Sequence, residues 1–228
     1  MGLDFTVIAN NLDYLLWGRL REGDPGGLLL TIFMAVSAGL LALVVGMALA
    51  LVAWWFPGWV RRALFLWADF IRGIPLIFVI FWVYFLVPAL FGGDMPGAAS
   101  VILALAWFTS AAVMHSTLAA LLALPGGQRE AGVAFGLSNG QVLWWILLPQ
   151  ALQNLLPSYL GLFVSLIKDT SLAFIVNVTE LTTVASQVNN RTQVFPTEIF
   201  LFTAFLYFLL CGGLSLASRG VAILSAHR

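Results

Sequence analysis

The chain reads as an all-α integral membrane bundle of about five transmembrane helices, and three observations predict it. Hydrophobic residues make up 61% of the 228 residues while Asp, Glu, Lys and Arg make up 9%, against roughly 25% charged in soluble domains. Mean hydropathy is +1.01. The apolar residues come in continuous runs rather than alternating ones, which favours helices over a lipid-facing barrel. Such a chain holds about five spans of roughly 20 residues with short connections.

The first span is expected from about Leu28 to Trp55, with no charge between Leu28 and Val60, ending at Phe56-Pro57-Gly58-Trp59 before Arg61 and Arg62. The second is expected over about Ile74–Phe91. The third covers about Ala98–Leu124 and is stopped by Pro125-Gly126-Gly127. The fourth occupies roughly Leu155–Val178, interrupted by Lys168-Asp169, and the fifth about Ile199–Ala217. Residues 142–148 are too short an apolar run to cross about 30 Å of hydrocarbon and read as the tail of an interfacial loop. Residues 3–20 read either as a helix on the outer surface with Leu15, Leu16 and Trp17 toward lipid, or as an ordinary extramembrane tail. The organisation expected is therefore an interfacial segment at 1–26, a transmembrane domain at 27–220 and a tail at 221–228.

Basic flanks set the orientation. With an odd number of spans, Arg61, Arg62, Arg129, Arg219 and Arg228 share one side, while Arg19, Arg21 and Arg191 share the other with Glu22, Asp24, Asp94 and Glu198. The first side is expected to be cytoplasmic, which puts the N-terminus outside (periplasmic) and the C-terminus inside. Ten basic residues balance ten acidic ones, so net charge points to no nucleic-acid partner. Cys211 is the single cysteine, which excludes an internal disulfide. Met1–Trp17 carries Asp4 and Asp13 where a cleavable signal would be basic. His115 and His227 stand far apart, so no metal spacing is present. No G-x-x-x-x-G-K-[ST] loop exists to bind a nucleotide. Nothing looks catalytic, and the chain reads as a non-enzyme.

Between spans three and four lies a patterned polar stretch at about 126–149. It runs Gly127-Gln128-Arg129-Glu130-Ala131, then Gly136-Leu137-Ser138 six residues after the Glu, then Leu148-Pro149-Gln150. On physical grounds the stretch is either a solvated loop with small residues for flexibility or a short amphipathic helix with Glu130 in its first turn, favourable to the helix dipole. Gly136 and Gly140, four apart, permit a partner to approach closely. The pattern resembles the cytoplasmic EAA loop of ABC-importer permeases, specifically the polar amino-acid uptake branch.

The resemblance covers roughly Leu28–Arg219. Phe70-Ile71-Arg72-Gly73-Ile74-Pro75-Leu76 is similar to the family's aromatic-x-Arg-Gly-x-Pro-Leu segment, Lys168-Asp169-Thr170-Ser171-Leu172 to its Lys-Asp/Asn-Thr-Ser-Leu motif, and Thr179-Glu180-Leu181 to a Glu-Leu that follows. The tract 171–182 looks closest to glutamate/aspartate permeases. The resemblance implies a non-catalytic permease in the bacterial inner membrane, acting with a periplasmic solute-binding protein, a second permease, identical or paralogous, and an ATPase dimer. No cofactor is implied in this chain; ATP and Mg are implied in the ATPase. Gln128, Glu130, Ala131, Gly136, Leu137 and Pro149 are the implied ATPase-coupling residues.

Ionisable groups inside a span cost about 2.5–3.5 kcal/mol each and usually face a cavity or a partner. Lys168, Asp169, Thr170 and Ser171 therefore either line the translocation path or form a structural polar cluster. A direct Lys168–Asp169 salt bridge needs a local break, because adjacent helical side chains diverge by about 100°. Glu180, eleven residues after Asp169, is expected on nearly the same helical face, as a cap, a binding-protein contact or a boundary marker. Arg72 at the start of a span, with Asp69 as its i,i+3 partner and Pro75 in the first turn, reads as structural, or as part of a gate. The family usually carries a Glu, and an Arg three residues later, where this chain has His115 and Leu118. His115 is then a helix-to-helix hydrogen-bond donor or a proton-linked group. The lost pair puts substrate contacts on that helix in doubt and fits the less specialised half of a mixed pair. The reading from another class is a stand-alone secondary transporter or channel, which predicts inverted repeats that this sequence does not show.

Overall fold

The computed structural model describes residues 5–226. Helix α1 (Thr6–Trp17) leads through two-residue strands β1 (Gly18–Arg19) and β2 (Asp24–Pro25) into α2 (Gly27–Trp55). Helix α3 (Trp59–Gly73) meets α4 (Leu76–Phe91) at a 100° bend, and α5 (Gly97–Leu122) follows. A short α6 (Gly126–Ala134) precedes the long α7 (Asn139–Val176), then α8 (Leu181–Thr192) and α9 (Pro196–Ala226). Among the described residues, α2, α5, α7 and α9 are long and apolar enough to cross a membrane, and the α3–α4 pair, bent by 100°, makes a fifth if it is one broken span rather than a re-entrant loop. The fold is an all-α membrane bundle.

Helices α2 and α5 form its centre because α2 presents small residues at helical spacing. Ala35, Ala38, Gly39, Ala42, Gly46, Ala50 and Ala53 are its inner face, and the alanines are essentially unexposed. In a bilayer, where burying apolar surface gives little drive, close backbone contact of this kind holds helices together. A Cβ on Gly46 would lie 2.6 Å from the Ser110 carbonyl oxygen of α5, and one on Gly39 would meet the Phe163 ring of α7 at 2.2 Å. The opposite face of α2, with Phe33, Leu40, Val44 and Val52, is exposed for lipid. Buried hydroxyls close on their own helix: Ser110 Oγ donates to Trp107 O at 2.7 Å and Thr203 Oγ1 to Ile199 O at 2.8 Å.

At one end, the α2 start is locked to the α7–α8 connection. Gly27, at φ +58, donates its N–H to Thr179 O at 2.9 Å, and a Cβ there would sit 2.2 Å from Leu15 O. Only glycine satisfies both demands.

Several expectations change. Leu15 is fully buried against Val184, Ala185, Val188 and Ile199 rather than facing lipid, so α1 is a packed element. Trp17 is exposed. Residues 142–148 are not a loop tail: they belong to α7, which starts at Asn139 and runs to Val176 with a π-helical turn at Leu143–Leu147. The fourth span is thus longer than expected, because the loop ends where Ser138 caps a new helix. The expected second span corresponds to a 16-residue helix, too short to meet the length of a span by itself and long and apolar enough only together with α3. The expected tail at 221–228 continues α9 to Ala226; the side chains of Arg219 and Arg228 lie outside the described residues, as do Met1–Asp4.

Candidate functional site

The polar stretch between α5 and α7 folds into a short helix set off from the spans. Pro125 precedes α6 with φ −56, its missing N–H harmless there. Helix α6 begins at Gly126, so Glu130 is in its second turn, not the first, and draws no benefit from the first-turn dipole. Gln128, Glu130 and Ala131 are exposed. Gln128 Oε1 accepts from Gln150 Nε2 at 3.4 Å. The buried side of α6 rests on Gly132, where a Cβ would meet Val142 Cγ2 at 2.8 Å and Ile146 Cδ1 at 2.9 Å.

Phe135 then stands 88% exposed at the helix end, and Gly136 turns the chain at φ +83 with no neighbour for a Cβ. Gly136 is needed for its left-handed backbone. Leu137 packs back on the cluster of Leu121, Val142, Leu147 and Leu148. Ser138 accepts from the Gln141 N–H at 3.3 Å, while Gln141 Oε1 accepts from the Ser138 N–H at 2.8 Å. This reciprocal cap starts α7, and the Ser-x-x-Gln spacing encodes it locally in the sequence. Pro149 is exposed just past the π-helical turn, which absorbs its lost hydrogen bond.

A second polar set lies at the far end of α7. Lys168 is exposed on the single chain and Asp169 half-buried, and they form no direct ion pair. The hydroxyls of Thr170 and Ser171 turn back to Ile167 O and Lys168 O, both at 2.7 Å, as the helix tightens to 3₁₀ over Thr170–Val176. The helix then stops at Asn177 (φ +55). Glu180 therefore does not share a helical face with Asp169; it caps α8.

Glu180 is fully buried. Its Oε1 accepts from the Thr183 N–H at 2.8 Å and Thr183 Oγ1 at 3.2 Å, and its Oε2 from the Thr182 N–H at 2.8 Å and Tyr207 Oη at 3.0 Å. Thr31 Oγ1 of α2 accepts the next amide, Leu181 N–H, at 3.1 Å. Burial pushes the Glu180 carboxyl above its usual range, against the opposing pull of these donors.

The α3–α4 elbow revises a third set. Arg72 lies in the last turn of α3, where a cation suits the helix dipole, rather than at the start of a span. Pro75 sits at the bend, just before α4. Asp69 faces not Arg72 but His115 of α5, Oδ1 to Nε2 at 3.5 Å, and Phe65 meets the imidazole edge-on at 4.7 Å. His115 Nε2 is buried without a hydrogen-bond geometry. Among the described residues no three His, Cys, Asp or Glu side chains gather to hold a metal.

Comparison with known proteins places this architecture. Residues 42–219 match the family model described as binding-protein-dependent transport system inner membrane component. A probable glutamine ABC transporter permease protein of Bacillus subtilis (strain 168) is 32% identical over 201 residues, 86% of this chain and 91% of the relative. The L-cystine transport system permease protein of the same organism is 30% identical, covering 93% of this chain and 95% of its own length. The glutamate/aspartate import permease protein of Escherichia coli O6:H1 is 29% identical over 91% of both. The fold also matches the crystal structure of an amino acid ABC transporter with histidines, at TM-score 0.82, 21% identity and 100% of both chains. The chain thus belongs to the family of binding-protein-dependent transport system inner membrane components, as a non-catalytic ABC-importer permease of the polar amino-acid branch.

Proposed function

We propose that this permease forms half of a translocation path for glutamate or aspartate in a bacterial inner membrane, and that an ATPase subunit docks on residues 126–138 to drive it. The observation that carries the docking is the exposed side of α6, with Gln128, Glu130, Ala131 and Phe135 clear of the bundle. Orientation follows the basic residues, with α6 cytoplasmic, the N-terminus periplasmic, and ATP and Mg bound by the ATPase.

Lys168 supports pairing with a second permease. A charged side chain exposed on a membrane-embedded surface of one chain costs about 2.5–3.5 kcal/mol if lipid covers it, so a partner or a watered path faces it instead. Lys168 and Asp169 then line that path, with Thr170 and Ser171 shaping the helix end, while His115 and Asp69 brace the elbow beside it. The preference for an acidic substrate rests on the positive Lys168 and the 171–182 tract; relatives named for glutamine and cystine are as similar as the glutamate/aspartate one. Delivery is assigned to a periplasmic solute-binding protein.

Mass spectrometry of the tagged chain, purified in mild detergent from its native membrane, tests the assembly. An ATPase subunit should co-elute and be lost from a Glu130→Arg, Ala131→Arg double variant, which leaves the strained Gly136 untouched. A chain that elutes only with itself points to the stand-alone transporter. Uptake of labelled glutamate by an assembled Lys168→Met transporter should vanish; normal uptake would remove Lys168 from the path.

A further inference from the structure

A cavity of about 320 Å³ lies where the C-terminal end of α2 meets α3, α5, α6 and α7, lined by Trp54, Trp55, Pro57, Arg61, Leu122, Arg129 and Asn139. Such a volume is at the lower end of the roughly 300–1,000 Å³ of small-ligand pockets. Two of the lining side chains are arginines and none is acidic. The cavity near α1 differs here: it is larger, about 580 Å³, but Asp13 and Glu22 line it beside its arginines, and Asp13 already pairs with Arg21 at 3.6 Å.

The two guanidiniums are held by neutral groups. Arg61 Nε donates to Ala53 O at 2.8 Å and its Nη2 to Trp54 O at 3.5 Å, so this residue closes the carbonyl end of α2. That end carries about half a negative charge, which offsets part of Arg61. Arg129 Nη2 donates to Asn139 Oδ1 at 3.3 Å, and its guanidinium lies 6.0 Å from the Trp54 ring centroid. No carboxylate compensates Arg129 among the described residues. A guanidinium has five N–H donors in a planar fork; these bonds leave three on Arg61 and four on Arg129.

The remainder of the lining is amphiphilic. Trp54 and Trp55, ring centroids 5.9 Å apart, end α2, a 29-residue helix without a charged side chain, the kind of position where tryptophan favours the membrane interface. Leu122 adds an apolar wall at the end of α5.

We infer that this cavity is a binding site for the phosphate headgroup of an anionic phospholipid, held by Arg61 and Arg129 with its glycerol and acyl part against Trp54, Trp55 and Leu122. Forked donors match phosphate oxygens, and basic pockets between transmembrane helices at the cytoplasmic surface favour anionic headgroups. A soluble phosphate would use the arginines but waste the apolar wall. The site rests on the cytoplasmic orientation of α6 proposed above. A lipid there ties the α2 end to α6, so anionic lipid steadies the segment on which the ATPase docks.

Native mass spectrometry of the complete transporter in mild detergent, incubated with phosphatidylglycerol, phosphatidylcholine or inorganic phosphate, is the test. The wild type should retain phosphatidylglycerol over phosphatidylcholine. Arg129→Gln should lower its occupancy about fivefold, as expected for one arginine at a charged surface, and Arg129→Lys, which keeps the charge but not the forked donors, should fall between the two. Equal retention of both lipids, or of phosphatidylglycerol by Arg129→Gln, overturns the site. Displacement of the lipid by inorganic phosphate overturns the lipid assignment. Loss of the ATPase from Arg129→Gln with lipid content unchanged overturns it in favour of a protein contact. A permease that keeps phosphatidylglycerol but never captures an ATPase supports this site while breaking the importer reading.

Discussion

Residues 168–183 and residues 126–138 are both polar stretches between apolar helices, and they spend their polar groups in opposite ways. In the first, Thr170, Ser171, Glu180, Thr182 and Thr183 all bond within the chain, and Thr31 and Tyr207 reach in from α2 and α9 to complete the set. In the second, Gln128, Glu130 and Ala131 stay exposed, and only the under-face at Gly132 and Leu137 is packed. A closed network fixes how three helices meet; an open surface is available to another protein. Lys168 and its half-buried neighbour Asp169 are the exceptions in the closed region, with no direct ion pair between them, and that contrast separates them from the hydrogen-bonded polar residues that follow.

The largest test of the contrast is Glu180→Ala. It removes the cap of α8 and leaves the Thr182 and Thr183 amides without their acceptor in a buried site, which should cost about 2–4 kcal/mol. Thermal unfolding of the purified chain in detergent reads it; a loss below about 0.5 kcal/mol would mean that the network does not hold the helices together. Glu180→Gln keeps one acceptor oxygen and should fall between. The same pair of proteins carries a pH signature. Because burial raises the folded carboxyl above its unfolded value, the folded state holds the extra proton between the two, so the wild type is relieved of the buried charge at low pH and loses stability as pH rises through the folded value. Glu180→Gln should lack that decline.

Next in size is Gly132→Leu, inside the open region but on its packed face. The added side chain must displace Val142 and Ile146, whose nearest atoms would lie 2.8 and 2.9 Å from the new Cβ, at about 1–3 kcal/mol. The spans should stay intact while ATPase capture weakens, since α6 would sit off its seat. Unchanged capture would show that the position of α6 on the bundle does not matter to docking.

How much of this could be read beforehand depends on the range of the forces involved. The spans at α2, α5 and α9 were legible because lipid demands long uncharged helices, and Pro125-Gly126-Gly127 announced the break after α5. The start of α7 is locally encoded in Ser138 and Gln141, whereas the shortness of the apolar run at 142–148 points, misleadingly, to a loop. Three features depend on contacts distant in sequence. Leu15 is buried by α8 and α9, the Asp69 carboxylate meets His115 46 positions later, and Glu180 is enclosed by Tyr207 and the α2 end. Periodicity along one helix carries no record of such partners. The pattern singled out Gln128, Glu130 and Ala131, which the structure leaves exposed, and Gly132 carried no signal because a small residue gives no sign of what covers it.

A smaller effect is expected from Thr31→Val, which keeps the shape but removes the acceptor for the Leu181 N–H across a separation of 150 residues. The orphaned amide should cost about 1–2 kcal/mol, and faster hydrogen exchange at the first turn of α8 should report it. Exchange unchanged from the wild type would mean that the α8 start needs no support from α2.

The smallest expected change in stability separates the two regions most sharply. Gln128→Ala with Glu130→Ala alters exposed side chains, and the one bond lost, from Gln150, is 3.4 Å long while Gln150 keeps its 2.9 Å bond to Ile146 O. Such surface changes stay within about 0.5 kcal/mol, so the unfolding temperature should not move beyond error. ATPase affinity should nevertheless fall, because exposed groups that do nothing for the fold are free to contribute to an interface. A drop in stability comparable to Gly132→Leu would place Gln128 and Glu130 among the residues that seat α6, and would shift the docking surface to Phe135 and the exposed tryptophans Trp144 and Trp145 of α7.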